Sequence, residues 1–364
     1  MKILHVCNHF YPNVGGIETY VRELSKNLIA LGHQSDVLCL DTKYDGKNLP
    51  REEIIDGIKV MRTGCIDLKF YKLAPHILKY VKDYDIIHVH AVSFFSDFFS
   101  ITKPLHKKRL ILSTHGGIFH TKKIMPVKNA YFFGWEKLIL KSFDKVFAHS
   151  VNDNELFSKI VPENKINFMP YSLYIKDYDV NRKYTENSML FVGRLGKNKR
   201  IDRLIRVLKN VSEIIDDITL VLVGGYLQDD KELFALAQSL GVDKKIISLG
   251  PKYGKDLIKC YASYNIFVSA AEYEGFGISV LESMAAGCPV VVNNIKAFRN
   301  FVDNGKTGYI TDFSDENKTA DLIVKVLASN LSAISKNAKE YAKEYDWPAG
   351  VRRALKAYDE VLNK

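Results

Sequence analysis

The chain predicts an α/β protein built from two doubly wound units, and three observations carry that expectation. Strand-like and helix-like patterns alternate from one end to the other, which argues for parallel sheets covered by helices. They fall into two series separated by a polar stretch, residues 171–187, with neither a helical nor a strand period. The length of 364 residues is enough for two domains of ordinary size, each with its own core. The expected division is 1–170, a connector 171–187, a second unit 188–346 and a closing segment 347–364. Units joined in this way are expected to place a ligand cleft between the carboxyl ends of their sheets.

In the first series, residues 2–7, 35–40, 58–62, 85–89, 110–114, 145–148 and 165–168 read as strands. Residues 17–31, 71–83, 94–104, 129–142 and 152–160 read as helices between them. Gly15 and Gly16 stand at the first strand-to-helix junction, just before the amphipathic run Ile17, Tyr20, Val21, Leu24, Leu28, Leu31. Free amides there can hold a phosphate oxygen, or the glycines serve a turn that needs positive φ. The junction is not G-x-G-x-x-G, so a nicotinamide cofactor is not indicated. After the strand 110–114 comes Ser113-Thr-His115-Gly-Gly-Ile-Phe-His120. His115, at a strand's carboxyl end beside two glycines, can donate to a sugar hydroxyl or a phosphate. His120, His88, His90 and His149 are weaker candidates.

The second series opens with strand 188–192 and continues through 218–223, 245–249, 265–269, 289–292 and 307–310. Behind its first strand, Gly193-Arg194-Leu-Gly-Lys197-Asn-Lys199-Arg200 crowds four cations at the start of a helix, where they oppose the helix dipole and one another. Either they fan out into water or an anionic ligand such as a diphosphate relieves the repulsion. Further on, Glu274-Gly-Phe-Gly-Ile-Ser-Val-Leu-Glu282 places one glutamate in a glycine-broken loop and another inside the following helix. Gly275 and Gly277 let backbone amides approach a ligand closely. Glu282 lies in the apolar-periodic run Ile278, Leu281, Ala285, so it must either face solvent or accept hydrogen bonds, and a polyhydroxylated ligand supplies such donors. The helix is expected to end at Gly287, before a buried strand.

Composition narrows the class. With 47% hydrophobic residues and no run of roughly 18 to 20 apolar residues, the chain is globular and no spanning helix is expected. The N-terminal apolar run is too short for a signal peptide, which predicts a cytoplasmic protein. The five cysteines, at 7, 39, 65, 260 and 288, have no metal-ligand spacing and read as buried thiols. Residues 1–170 carry 24 Lys and Arg against 17 Asp and Glu, or +7, and residues 171–364 carry 28 against 25, or +3. The basic first half suits an anionic partner or is simply a lysine-rich solvated surface. Asp83-Tyr-Asp85 and Asp177-Tyr-Asp179 match a metal-diphosphate triplet, but one lies at a helix-to-strand corner and the other in the connector.

The glutamate pair, the intervening Gly-Phe-Gly and the following Met-Ala-x-Gly-x-Pro-Val-Val resemble the signature of the retaining family-4 glycosyltransferases of GT-B fold. That resemblance implies two Rossmann-like domains facing a central cleft, with the acceptor on the first, the nucleotide-sugar on the second, and residues 347–364 returning to the first through a Trp347 bend. It implies that Arg194 and Lys199 bind the donor diphosphate. Glu274 and the backbone of Gly275, Phe276, Gly277 and Ile278 would hold the sugar, and Glu282 the ribose. The Gly15-Gly16 loop would close over phosphate, and His115 would contact the transferred sugar. The family usually has Gly where Arg200 stands, and the Lys-Arg-Ile-Asp-Arg-Leu variant is similar to bacterial mannosyltransferases of polysaccharide assembly. GDP-mannose is therefore the first donor to consider and UDP-linked hexose or N-acetylhexosamine the second. The acceptor is expected to be a saccharide, polyprenyl-diphosphate-linked, with no metal, cofactor or nucleic acid involved.

Two basic and apolar stretches, 68–82 and 119–133, suit a peripheral site on the cytoplasmic face of an anionic inner membrane, or are core-facing helices with lysine outer faces. A sugar-nucleotide epimerase, or a binding module without turnover, are the competing functions on the same architecture.

Overall fold

The computed structural model describes residues 1–43, 46–68, 71–116, 125–225 and 230–363. The chain forms two compact units, Met1–Tyr171 with Trp347–Lys364, and Ser172–Asp346.

The first unit carries an eight-stranded sheet. Its strands are β1 (Lys2–Val6), β2 (Gln34–Leu40), β3 (Glu52–Ile55), β4 (Ile58–Thr63), β7 (Ile86–His90), β8 (Arg109–Ser113), β9 (Lys145–Ala148) and β10 (Ile166–Phe168), while β5 (Ile66–Asp67) and β6 (Lys72–Leu73) form a separate ribbon. The spatial order is β10-β9-β8-β7-β1-β2-β4-β3, parallel except for the β3–β4 hairpin. The chain thus winds one way from β1 to β4, then crosses back to β7 on the other side of β1. Ligands of such sheets bind at this reversal, outside the carboxyl ends of the strands. Continuous apolar runs such as Ile86, Ile87 and Val89 are buried, as a sheet covered on both faces demands.

Three local differences from the sequence reading have physical reasons. Strand β3 was not expected, although Asp56-Gly57, with φ of 52° and 80°, is the two-residue turn that closes a tight hairpin. Residues 71–83 are not one helix: Ala74, held outside the helical region (φ −136°, ψ 70°) ahead of Pro75, breaks the run and leaves a 3-10 turn, Pro75–Tyr80. The helix expected at 129–142 begins earlier, at Met125, and contains a π-helical turn, Tyr131–Glu136.

The second unit holds β11 (Thr185–Val192), β12 (Thr219–Val223), β13 (Ile246–Gly250), β14 (Tyr264–Ser269), β15 (Val290–Asn293) and β16 (Tyr309–Thr311). Their order, β13-β12-β11-β14-β15-β16, is all parallel and reverses between β11 and β14. The helix Ile201–Ser212 shows how sequence sets the packing. Ile201, Leu204, Ile205, Leu208 and Val211 recur every three or four residues and are all buried against the sheet. The stretch read as a plain connector carries structure of its own: a 3-10 turn, Ile175–Tyr178, and Arg182, whose guanidinium donates to the carbonyls of Tyr264, Asn265 and Gly287.

The final helix, Trp347–Leu362, completes the first unit. Tyr358 is fully buried, with its hydroxyl 2.8 Å from His88 Nδ1, and Glu360 pairs with Lys145 at 2.9 Å. No helix among the described residues is long and apolar enough to cross a membrane.

Candidate active site

In the second unit the reversal lies between β11 and β14, and the predicted residues converge on the carboxyl ends of these strands. Beyond β11 the backbone of Gly193 touches that of Gly224. A Cβ on Gly224 would lie 1.8 Å from the Gly193 carbonyl oxygen, and Gly224 has φ of 152°. Gly193 N–H donates to Val223 and Leu195 N–H to Gly225, so the Gly-Arg-Leu turn is seated on the end of β12. Arg194 projects from this turn, exposed and without an ion-pair partner among the described residues.

The four clustered cations are not equivalent. Arg200, in the left-handed region at φ 52°, is held by Asp202 at 2.7 Å and by Glu272, which also pairs with Arg203 at 2.8 Å. Lys199, in the 3-10 turn Lys197–Lys199, is ion-paired with Glu274. A residue with no signal in the sequence brings that pair about. Asn198 accepts from the Glu272 amide through its carbonyl, at 3.0 Å, and donates from its side chain to the Tyr273 carbonyl, at 3.2 Å. The turn carrying Lys199 is thereby stitched to the loop carrying Glu274. Within the group, the crowding expected from sequence is relieved by carboxylates at Arg200 and Lys199, whereas Arg194 and Lys197 stay exposed.

The glycines around Phe276 have different tasks. Gly277 has φ of 97°, and a Cβ there would press on Phe298 at 3.2 Å. Gly275 faces no protein atom within 4 Å of such a Cβ, which leaves its backbone open to approach. Phe276 is buried, edge-on to Phe301 with centroids 4.9 Å apart, and anchors the loop. The helix Ile278–Ala286 starts here without a side-chain cap, so its first amides have no partner within the helix, and Ile278 is partly exposed beside them. It ends at Gly287, at φ 74°.

Glu282, partly buried on this helix, accepts from Tyr178 at Oε1 (2.9 Å) and from Tyr261 at Oε2 (2.8 Å). The expected source of donors, a polyhydroxylated ligand, is here preceded by two phenols. Burial raises the Glu282 pKa and the two phenols pull it back down. Each oxygen keeps lone-pair capacity beyond its one phenol. Neither tyrosine was visible in the sequence as a partner, since Tyr178 lay in the supposed connector.

In the first unit, neither Gly15 nor Gly16 has positive φ, which removes the turn-only reading. Gly15 is extended at φ −159°, and the helix Gly16–Ala30 begins directly after it with no side-chain cap. The loop before it is tied down by the fully buried Arg62, which donates to the carbonyls of Tyr11 (2.7 Å) and Pro50 (2.9 Å).

The histidines set aside in the sequence are brought together around His115. Its Nε2 lies 3.0 Å from His90 Nδ1, its Nδ1 lies 2.8 Å from the Tyr171 hydroxyl, and its ring stacks on His149 with centroids 4.3 Å apart. Both ring nitrogens are therefore engaged, so a sugar hydroxyl would have to share or replace one of these contacts. His90 Nε2 continues to His5 Nδ1 at 2.9 Å, and His88 is held by Tyr358 and by Ser113 Oγ at 2.8 Å. Burial lowers the pKa of all five rings, to about 3 for His5 and His149. His5, His88 and His90 lie close enough together to share an ion. Yet His88 and His90 spend both nitrogens on hydrogen bonds, and within the trio His5 Nε2 alone lacks one among the described residues, so hydrogen bonding rather than ligation accounts for the trio. His120 lies outside the described residues.

Comparison with known proteins bears on both units. Residues 14–170 match the family described as Glycosyltransferase Family 4, and residues 176–345 match Glycosyl transferases group 1. The chain belongs to the family-4 glycosyltransferases. Among relatives of this glycosyltransferase is the GDP-mannose:cellobiosyl-diphosphopolyprenol alpha-mannosyltransferase of Komagataeibacter xylinus, 28% identical over 374 residues, covering 100% of this chain and 94% of the relative. Among solved structures, sucrose-phosphate synthase from Thermosynechococcus elongatus superposes with a TM-score of 0.82 at 20% identity, covering 100% of this chain and 99% of that one. Anabaena HepE in complex with UDP and glucose gives a TM-score of 0.76 at 18% identity, with 99% of each chain covered. These two structures show the GT-B fold.

Proposed function

We propose that this glycosyltransferase moves mannose from GDP-mannose to a saccharide carried on polyprenyl diphosphate, in the assembly of a bacterial surface polysaccharide. The observation that carries the donor and acceptor class is the full-length similarity to a mannosyltransferase named for those two substrates. The cations at the end of β11 support the leaving-group half of the chemistry. Arg194 and Lys199 would bind the diphosphate and neutralise charge as the glycosidic bond to phosphate breaks. Glu274 and the open backbone at Gly275, Phe276, Gly277 and Ile278 would hold the sugar, Glu282 the ribose, and the uncapped helix start at Gly15 and Gly16 a phosphate oxygen. His115 would contact the transferred sugar through the nitrogen now facing Tyr171.

The test is thermal stabilisation by GDP, UDP, GDP-mannose and UDP-glucose, with and without EDTA, followed by transfer to a polyprenyl-diphosphate-linked disaccharide. Stabilisation by the guanosine ligands that survives EDTA, together with transfer, is expected. Preference for uridine ligands overturns the mannose assignment, and donor conversion without any acceptor points to an epimerase instead.

A membrane-facing role for the first unit is supported by the helix that begins at Met125. It exposes Val127, Phe133, Trp135 and Leu138 among Lys128, Lys137 and Lys141, the mixture that suits an anionic lipid surface. Sedimentation with anionic but not neutral vesicles at low salt is expected, and equal recovery in both supernatants refutes it.

A further inference from the structure

The chain of contacts His5–His90–His115–Tyr171 has a property that none of its members has alone. Burial keeps the three rings neutral, and a neutral imidazole has one N–H donor and one acceptor nitrogen. Each link needs one donor and one acceptor. The links run His5 Nδ1 to His90 Nε2, His90 Nδ1 to His115 Nε2, and His115 Nδ1 to the Tyr171 hydroxyl, at 2.9, 3.0 and 2.8 Å. If His90 carries its proton on Nδ1, it donates to His115 Nε2, which forces the His115 proton onto Nδ1, and its bare Nε2 must receive from His5 Nδ1. If His90 carries it on Nε2, every assignment reverses. The three rings can therefore occupy only two joint states, all Nδ1–H or all Nε2–H.

The far end selects between them. His5 Nε2 is buried and has no hydrogen-bond partner among the described residues. In the all-Nε2–H state it is a buried N–H without an acceptor, and in the all-Nδ1–H state it is only a lone pair without a donor. Orphaned N–H groups are the rarer of the two in folded proteins. The all-Nδ1–H state also makes His115 a donor at the nitrogen that faces Tyr171, whose own O–H then turns away from His115; that side chain is only part-buried, unlike the fully buried His5.

We propose that His90 and His5 are positioning residues that lock His115 in the Nδ1–H tautomer, so that it meets the sugar as a hydrogen-bond donor. The first of these statements is independent of function, and the second rests on the reading of His115 as a sugar contact. His90 lies at the end of β7 and His5 within β1, the two strands that flank the reversal of the sheet, so the lock is built into the rigid part of the unit.

The experiment is a long-range proton–nitrogen NMR correlation on the full chain labelled with nitrogen-15 histidine, with His5→Phe, His90→Phe and His115→Ala used for assignment. Transfer kinetics are measured on the same variants. The expected result is Nδ1–H for His5, His90 and His115 in the natural chain, and loss of that single form at His115 in His90→Phe. The same variant should lose about tenfold in kcat/KM for the donor, the worth of one buried hydrogen bond. His5→Phe, two links away, should show the same pattern more weakly, and it serves if His90→Phe does not fold. Mixed tautomers among the three rings, or a shared Nε2–H form, overturn the lock. A shared tautomer with unchanged kinetics in both phenylalanine variants overturns the positioning role while leaving the sugar contact standing, provided His115→Ala is impaired. Full activity of His115→Ala overturns the sugar contact and the positioning role with it, whatever the spectra show.

Discussion

Replacing Glu274 by Gln separates two uses of one carboxylate. Glu274 and Lys199 form an ion pair whose side chains retain 18% and 15% of their exposure. That places the pair between the regime of exposed pairs, worth about 0–1 kcal/mol, and that of buried pairs, where loss of one partner costs about 3–5 kcal/mol. An intermediate value of about 2 kcal/mol follows for the stability lost. A diphosphate arriving at Lys199 must compete with this carboxylate, so its removal should favour nucleoside diphosphate binding even as it harms transfer. If the competing interaction is worth about 1.4 kcal/mol, GDP binds Glu274→Gln about ten times more tightly. Titration calorimetry with GDP and urea unfolding measure the two quantities, and a radiolabelled-sugar assay measures transfer, expected to fall at least about a hundredfold. GDP affinity that is unchanged or weaker in Glu274→Gln, with Lys199→Met clearly impaired, would refute the competition.

Three further outcomes follow from the geometry. Arg194→Met should bind GDP about tenfold more weakly with stability unchanged within about 0.5 kcal/mol, because Arg194 is exposed and has no ion-pair partner among the described residues; a clear loss of stability on urea unfolding contradicts this. Gly224→Ala drives a Cβ into the Gly193 carbonyl oxygen and should cost at least about 3 kcal/mol, so a urea midpoint close to that of the natural chain tells against the contact. Tyr261→Phe removes one of the two phenols on Glu282. The folded pKa of Glu282 lies above its unfolded value, so the stability linked to this group is present below the unfolded value and is lost as pH rises through the folded one. Loss of a donor raises the folded value further, so the variant should be destabilised more at about pH 8 than at about pH 4, and equal losses in urea titrations at the two pH values would argue against it.

Much of this architecture was legible because parallel strands buried on both faces announce themselves as short apolar runs. The strand expected at 145–148 is Lys145–Ala148, and most others begin or end within one or two residues of expectation. The glutamate pair and the cations behind β11 were legible because glycines and charges at fixed spacing survive in one dimension. What stayed hidden depends on partners distant in sequence. His5, His90, His115 and Tyr171 span 166 positions, and only the pairing of β1 with β7 and β7 with β8 brings the histidines together. The phenols on Glu282 come from a turn and a helix on either side of β11, which no local period relates. Strand β3 is a different case, since its Asp56-Gly57 turn is a local signal that marks the hairpin in one dimension.

The way the chain divides also bears on how it is made. Its second unit is one uninterrupted stretch, Ser172–Asp346, whereas the first is assembled from the two segments that flank it, Met1–Tyr171 and Trp347–Lys364. During synthesis the ribosome must finish the second unit before Tyr358 can reach His88 and Glu360 can reach Lys145. The nascent first unit therefore waits with one flank of its core uncovered, a period in which a chaperone or a neighbouring nascent chain finds apolar surface. For the laboratory the same topology suggests a practical division. Residues 172–346 are a continuous fragment in which the proposed donor site can be tested alone, while the first unit calls for a splice that joins residue 171 to residue 347 directly.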